Sequence, residues 1–152
     1  MNERALTNAC KPKRGAALRV GVDIVCISRI RESLDAFGER FVERLFSPDE
    51  AAYAAQAGAL RPERLAARFA AKEATLKAFE LSNAGINWRD IEVVKSASGG
   101  CRLALHGHAA ALVEASSIDE LALSLSHDGD YAVAYVAGTR SEPVIQQQPF
   151  ST

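Results

Sequence analysis

Two carboxylates lie in parts of the sequence that are otherwise apolar. Asp23 interrupts the apolar run 20–25, and Glu73 lies in a helical pattern, one turn after Phe69 and one turn before Lys77. A carboxylate removed from water without a partner is costly, so each group is expected to be paired, hydrogen-bonded or bound to a metal. Both residues are therefore candidates for a site that does chemistry.

Cations accompany Glu73 in the same helical segment. Arg68, Lys72 and Lys77 flank it in the sequence. Mg²⁺ prefers oxygen ligands and takes one or two protein carboxylates together with substrate phosphates, while Arg and Lys neutralise phosphate charge. The set predicts a magnesium and phosphate site built on Asp23 and Glu73.

Two purely structural explanations compete with this prediction. Asp23 could cap a helix that follows its strand. Glu73 and Lys77 could form an ordinary i,i+4 ion pair, worth about 0.2–0.5 kcal/mol. The sequence by itself leaves both explanations open.

Motifs of several other chemistries are absent from the sequence. There is no Walker A loop, no G-x-G-x-x-G and no G-x-S-x-G, so the usual nucleotide cradles and the nucleophile elbow are missing. His106 and His108 have a spacing that could bind metal, but Gly107 between them favours a solvated turn. A metal-assisted phosphoryl transfer requires no nucleophile from the protein and fits this inventory.

The segment that carries Glu73 is predicted to be a helix over residues 62–79, covered on two sides. An apolar stripe at 3.6-residue spacing indicates one packed face, and small alanines opposite it allow a second element to approach closely. The stripe consists of Leu65, Phe69, Leu76 and Phe79, and the alanines are Ala67, Ala71, Ala74 and Ala78. Charged side chains on such a helix have few solvated positions to occupy.

The remaining elements follow from periodicity and from cap and turn residues. Ser47, Pro48 and Glu50 form the signature of a capping box at a helix start. Strands are predicted at residues 18–25, 91–94, 101–105, 121–126 and 131–137, and further helices at 27–37, 39–46, 48–57 and 109–115. A turn is predicted at 127–130. A strand, then helices, then a run of strands indicates an α+β fold.

Composition predicts one soluble domain. The chain has 152 residues, 48% of them hydrophobic, and a formal net charge of −1, which argues against nucleic acid or an anionic membrane as partner. Three cysteines without a C-x-x-C pair, and no membrane-spanning or secretory segment, favour the cytoplasm. The expected organisation is a flexible basic extension at 1–17, one domain at 18–138 and a disordered Gln-rich tail at 139–152.

Several segments, taken in order, resemble the bacterial holo-acyl-carrier-protein synthases, the small-subunit branch of the phosphopantetheinyl transferases. They are G-V-D-I-V at 21–25, R-F-A-A-K-E-A at 68–74 followed by Lys77, and S-L-S-H at 124–127. Supporting matches are Arg29, R-F-V-E-R at 40–44, F-S-P-D-E at 46–50 and W-R-D-I-E-V at 88–93. The similarity covers about residues 20–136.

The resemblance implies a set of roles. Asp23 and Glu73 would bind Mg²⁺ together with the pyrophosphate of coenzyme A, and Lys77 would contact phosphate. Arg68 and His127 would help to hold coenzyme A. The implied reaction moves the phosphopantetheine arm of coenzyme A onto a serine of an apo acyl carrier protein, leaving adenosine bisphosphate.

The resemblance also implies partners. Basic residues Arg29, Arg40 and Arg44 would meet the acidic recognition helix of the carrier. The protein would be a homotrimer with each active site between subunits.

One departure from the family pattern concerns the end of the long helix. The family follows its lysine with K-A-x-G-T-G, whereas here Glu80 replaces the first glycine, and a carboxylate beside bound phosphates is unfavourable. A non-catalytic carrier-binding protein that has lost coenzyme A therefore stays in view. A second alternative, a metal-dependent pyrophosphate hydrolase, would share the two carboxylates and use water in place of the carrier serine.

Overall fold

The computed structural model describes residues 18–140, which contain five α-helices, two short 3-10 helices and five strands in an α+β arrangement, as predicted. The elements are β1 (Leu18–Cys26), α1 (Ile27–Phe37), α2 (Glu39–Leu45), α3 (Pro48–Ala55), α4 (Arg61–Ala78), β2 (Ile91–Lys95), β3 (Cys101–Leu105), α5 (Gly107–Ala115), β4 (Glu120–Asp128) and β5 (Tyr131–Thr139). Apart from Thr139 and Arg140, the terminal segments predicted to lack structure lie outside the described residues.

The strands form two antiparallel sheets. Three of them pair in the order β1-β5-β4, and β2 and β3 form a separate hairpin. The central strand β5 alternates by residue, with Ala132, Ala134 and Val136 completely buried on one face. These small inward side chains let α4 lie flat against the sheet.

Helix α4 approaches strand β1 most closely at Gly21. A Cβ atom at this position would lie 1.9 Å from the carbonyl oxygen of Ala74, well inside van der Waals contact. Glycine is therefore required here, and the contact brings Asp23, two residues later on the same face of β1, beside the helix.

Helix α4 is covered on both predicted faces, because the stripe residues Leu65 and Leu76 and the alanines Ala71, Ala74 and Ala78 are all buried. Two apolar clusters share the helix. One contains Ile91, Val93, Leu103 and Val113 from the hairpin and α5. The other contains Ile27 and Ile30 of α1, Val42 of α2, Phe46 directly after α2, and Ala54 of α3. Leu65 belongs to the second cluster and Leu76 to the first, so the predicted apolar stripe contributes to both clusters.

The predicted boundaries differ from the observed ones mainly at the last turn. His127 and Asp128 belong to β4, opposite Ala132 and Tyr131, so the connection consists of Gly129 and Asp130 alone. Gly129 has φ +56°, a conformation that a two-residue hairpin turn requires and that glycine adopts without strain. Among residues 18–140, no helix is both long and apolar enough to cross a membrane.

Candidate active site

Asp23 lies in the middle of β1, opposite Ala134 of β5. Its Oδ1 accepts a hydrogen bond of 2.7 Å from Nζ of Lys77, which also donates to the carbonyl of Val22 at 3.3 Å. The hydrogen bond to Asp23 raises the pKa of Lys77. The alternative explanation, an ion pair between Glu73 and Lys77 along the helix, is therefore wrong, because Lys77 forms its ion pair with Asp23 of β1.

The alternative role of Asp23 as a helix cap is wrong, because Asp130 occupies that position. Its carboxylate accepts from the backbone N–H of Ser28 at 2.9 Å and from the Ser28 hydroxyl at 2.7 Å, and Cys26 Sγ donates to it at 3.0 Å. The hydrogen bonds from Cys26 and Ser28 lower the pKa of Asp130. A residue predicted only as part of a turn therefore holds the start of α1.

Glu73 is half-buried on the face of α4 that turns toward β1. Burial raises the pKa of its carboxyl, and the negative charge of Asp23 raises it further, while Lys77 acts in the opposite direction. The two carboxylates therefore repel each other, with one ammonium group between them. The oxygens of these two carboxylates can therefore bind a further cation.

These three side chains line an open cavity of about 540 Å³, together with Arg29, Phe69 and Cys26. The donor set fits Mg²⁺, which takes one or two carboxylates and completes its shell with phosphate and water oxygens. Residues 18–140 contain no group of three or more His, Cys, Asp or Glu side chains arranged to hold a metal. Two protein carboxylates leave the other positions of a Mg²⁺ shell to substrate and water oxygens.

Arg68 and His127 lie away from this cavity. Arg68 is 3% exposed and lines a separate cavity of about 210 Å³ beside α3 and β2. His127 is exposed on β4, with its Nε2 3.4 Å from Oε1 of Glu63. The structure thus brings Asp23, Glu73 and Lys77 together and leaves the two predicted coenzyme A contacts elsewhere on the protomer.

The predicted carrier-binding residues divide between two neighbouring cavities. Arg29 lines the cavity of Asp23, whereas Arg40 and Arg44 line an adjacent one of about 540 Å³ with Phe37. Phe41 lines both. The three arginines are exposed, and the two cavities that they line adjoin at Phe41.

The sequence predicts Lys72 on the helix but gives no indication of its partner. Its ammonium group is completely buried and donates to Oε2 of Glu50 at 2.8 Å, to the carbonyl of Trp88 at 3.0 Å and to the carbonyl of Ile91. Glu50 also accepts from the N–H of Val93 at 3.0 Å while completing the predicted capping box. The capping box was visible as a local motif, but the ion pair spans 22 residues.

Glu80, His106 and His108 do not line the cavity of Asp23. Glu80 has φ +57°, and its carboxylate lies 4.0 Å from the guanidinium of Arg19, with the side chain 85% exposed. His106 and His108 are exposed, as predicted, and His106 Nε2 lies 2.8 Å from Oε2 of Glu92. The Glu80 charge is therefore partly offset by a cation.

The sequence profile described as the 4'-phosphopantetheinyl transferase superfamily matches residues 19–136. A holo-[acyl-carrier-protein] synthase of Gloeobacter violaceus is 42% identical over 119 residues, which is 78% of this chain and 90% of that protein. The synthase of Geobacter sulfurreducens is 45% identical over 117 residues, 76% of this chain and 92% of the relative.

Solved structures of similar proteins have the same fold. A complex described as Chronobacterium ammoniagenes ACPS with CoA has a TM-score of 0.71 and 40% identity, covering 83% of this chain and 99% of that one. The Helicobacter pylori holo-[acyl-carrier-protein] synthase in complex with coenzyme A has a TM-score of 0.68 and 30% identity, covering 78% and 98% respectively.

We predict that replacing Glu73 by glutamine stabilises the metal-free protein at neutral pH. Because the pKa of Glu73 is higher in the folded state than its ordinary value of 4.5, the folded state loses stability as the pH rises from that value through the raised pKa. Glutamine removes this loss. Thermal unfolding by circular dichroism in a chelator should give a higher midpoint for Glu73→Gln at pH 7, and the difference should close as the pH falls below 4.5.

The matched control is Glu114→Gln, which removes an exposed carboxylate from α5. Its unfolding midpoint should stay close to that of the unmodified protein at both pH values. A Glu73→Gln midpoint at pH 7 equal to or below that of the unmodified protein contradicts the repulsion between the two carboxylates.

Proposed function

The chain belongs to the 4'-phosphopantetheinyl transferase superfamily, and from this premise we propose that it is a cytoplasmic holo-acyl-carrier-protein synthase. It transfers the phosphopantetheine arm of coenzyme A to a serine hydroxyl of an apo acyl carrier protein, giving holo carrier and adenosine 3',5'-bisphosphate. The observation that supports this most directly is the meeting of Asp23, Glu73 and Lys77 at one open cavity. The synthases similar to it over most of the chain support the same reaction.

The reaction exchanges one phosphorus–oxygen bond for another. The serine oxygen of the carrier forms a bond to the phosphorus that bears pantetheine, and the bond from that phosphorus to the bridging pyrophosphate oxygen breaks. Adenosine bisphosphate leaves with the bridging oxygen, and the serine proton passes to solvent. Catalysis then consists of positioning the two substrates and balancing charge.

The cavity residues supply both requirements. Asp23 and Glu73 offer carboxylate oxygens for Mg²⁺, and Lys77 offers a cation to a phosphate oxygen once the substrate has entered. When bound, Mg²⁺ supplies Lewis-acid stabilisation of negative charge on the pyrophosphate. Mg²⁺ bound there would also remove the repulsion between Asp23 and Glu73. Because this repulsion destabilises only the metal-free protein, its removal favours metal binding.

We expect Glu73→Ala to reduce transfer by at least about a hundredfold, because the variant loses half of its carboxylate ligands at the site of charge development. The assay incubates the protein with coenzyme A, Mg²⁺ and an apo carrier, and the carrier is weighed by mass spectrometry. A mass gain of one phosphopantetheine arm should appear with the unmodified protein and with Glu114→Ala. It should disappear with a chelator.

The same assay separates the alternatives. Release of adenosine bisphosphate without a mass gain on any carrier identifies a pyrophosphate hydrolase. A carrier that binds while coenzyme A stays intact identifies a non-catalytic carrier-binding protein. Normal transfer by Glu73→Ala contradicts only the assignment of Glu73 as a metal ligand and leaves the transferase function standing.

We also propose that the surface of Arg29, Arg40 and Arg44 receives an acidic helix of the carrier. Arg29 lines the same cavity as Asp23, so a carrier bound there presents its serine near the carboxylates. The exposed ring of Phe37 beside Arg40 and Arg44 suits an amphipathic helix with acidic residues next to apolar ones. Charge complementarity of this kind governs encounter and specificity.

Arg29→Glu should raise the KM for the carrier about tenfold or more at low salt while leaving the KM for coenzyme A nearly unchanged, because it turns an attraction into a repulsion. Steady-state kinetics with each substrate varied in turn measure both constants. Arg102→Glu makes the same change of net charge on β3, outside this surface, and should alter neither constant. Equal carrier constants for Arg29→Glu and Arg102→Glu would exclude a docking role for Arg29.

A third proposal concerns assembly as a homotrimer. The outer face of the three-stranded sheet is apolar and exposed at Val20, Val22 and Ile24 of β1 and at Tyr131 and Tyr135 of β5. Val22 and Tyr135 are directly paired, so the patch is continuous, and continuous exposed apolar patches mark association surfaces. Asp23 points to the opposite face of β1, toward α4, but β1 is an edge strand of the sheet, so a neighbouring copy that covers the apolar face and extends past this edge can contribute Arg68 and His127 to the site.

Light scattering of the purified protein should give a mass near three times the 16.3 kDa of the chain. Val22→Lys should convert the trimer to monomers and reduce transfer with it, because a buried lysine without a partner is costly at an interface. Leu60→Lys changes a similarly exposed apolar residue away from the sheet, 54% exposed against 55% for Val22, and should leave the trimer intact. A monomeric unmodified protein that is fully active excludes the intersubunit site.

A further inference from the structure

Three cations converge on the ring of Tyr53. The guanidinium carbons of Arg64 and Arg68 lie 4.4 and 4.2 Å from the ring centroid, and the ammonium of Lys95 lies 5.2 Å from it. Lys95 also donates a hydrogen bond of 3.0 Å to the Tyr53 hydroxyl. Helices α3 and α4 and strand β2 thus meet at one aromatic side chain.

One of the two arginines in this group, Arg68, is buried, and part of its hydrogen-bonding capacity is unused. Arg68 is 3% exposed, one terminal nitrogen donates to the carbonyl of Arg64 at 3.2 Å, and its buried Nε has no partner within the described residues. A buried cation with an unpaired donor is costly unless a ligand completes it. Arg68 lines the cavity of about 210 Å³, which is where a ligand would do so.

The cavity wall also carries two carboxylates. Asp49 is exposed at the start of α3. Glu92 lies across the cavity but is already engaged, accepting from the Ser47 hydroxyl at 2.6 Å and facing His106 Nε2 at 2.8 Å. Neither makes an ion pair with Arg68, and the carboxylate that acts on the arginine most strongly, that of Glu50, is already paired with Lys72.

We propose that Tyr53 is a positioning residue for coenzyme A binding, whose ring fixes Arg68, and with it Arg64 and Lys95, in the orientation that receives the anionic substrate. This inference rests on the proposed function, in which Arg68 contacts coenzyme A. An aromatic ring holds a guanidinium by stacking and cation–π attraction without neutralising it. A carboxylate in the same place would fix the side chain but compete with phosphate for its charge.

Preorganisation is the physical benefit of this arrangement. Arginine and lysine side chains lose much rotational freedom when they bind an anion. With the cations already held on one ring, less of this entropy is lost on binding, so affinity for coenzyme A increases. The pKa of Tyr53 is lowered by the Lys95 hydrogen bond first and by the charges of Arg64, Lys95 and Arg68 as well, consistent with a ring surrounded by positive charge.

The test compares Tyr53→Leu with Tyr53→Phe. Leucine removes the ring, so the KM for coenzyme A and the dissociation constants of coenzyme A and adenosine 3',5'-bisphosphate in titration calorimetry should each rise about tenfold. The kcat and the KM for the carrier should stay within about twofold, because the residue does not touch the reacting atoms. Phenylalanine keeps the ring and loses only the Lys95 hydrogen bond, so it should restore coenzyme A affinity to within about twofold.

A second variant guards against a simple folding defect. Arg68→Lys keeps the charge but cannot stack, so it should weaken coenzyme A binding to a degree similar to Tyr53→Leu, and the double variant should be no weaker than either single one. Arg102→Ala, which removes an arginine from β3 outside the cavity, should bind coenzyme A normally. If Tyr53→Leu does not fold, normal affinity in folded Arg68→Lys overturns the proposal.

The outcomes separate this inference from the proposed function. Unmodified protein that transfers phosphopantetheine while Tyr53→Leu binds coenzyme A equally well overturns the positioning role and leaves the synthase assignment standing. Strictly additive losses in the double variant also overturn it, because independent effects imply no coupling between the ring and Arg68. Unmodified protein with no affinity for coenzyme A overturns both.

Discussion

The buried ion pair between Lys72 and Glu50 fixes the rotation of helix α4 about its own axis. Both side chains are completely inaccessible to water, and a pair of this kind is tolerated only when its remaining hydrogen bonds are also made. They are made here, to the backbone of Trp88, Ile91 and Val93. Because successive residues of a helix are rotated by about 100°, anchoring Lys72 to the hairpin side directs its neighbour Glu73 toward β1.

Local patterns in the sequence predicted the elements well, but not the long-range partners of their charged residues. Helical spacing predicted α4, and the S-x-x-E motif predicted the start of α3, because both signals lie within one or two turns. Periodicity identifies the faces of an element but not what a distant strand places opposite them. The pairing of Lys77 with Asp23, 54 residues away, and the capping of α1 by Asp130, 102 residues from Ser28, had no local signal. The presence of Asp23, Glu73 and Lys77 at one cavity was predicted through the family resemblance together with their odd positions.

The charged groups of the proposed site are divided between two cavities, so a single protomer does not bring all of them together. The carboxylate cavity contains Lys77 and Arg29, while the cations around Tyr53 lie near the other end of α4. The apolar outer face of the sheet lies on the side of the edge strand β1 opposite Asp23, and it is consistent with a second copy that brings the two halves together across this edge. At the end of α4, Glu80 adopts a left-handed conformation that costs about 1 kcal/mol or more for a residue with a Cβ, and Arg19 offsets its charge. The departure from glycine therefore alters the helix end without leaving an isolated anion there.

The pairing of β1 with β5 has a consequence for how the chain acquires its structure. Leu18 lies opposite Thr139, and the start of α1 is held by Asp130, so the earliest described strand and helix are completed by residues more than a hundred positions later. Contacts of such separation form slowly, since a long loop must close before they contribute. Until β5 arrives, β1 is an unpaired apolar strand, the kind of segment that pairs with other chains. Asp23 is carried by this strand, so its position beside Lys77 depends on a pairing made by residues far along the chain.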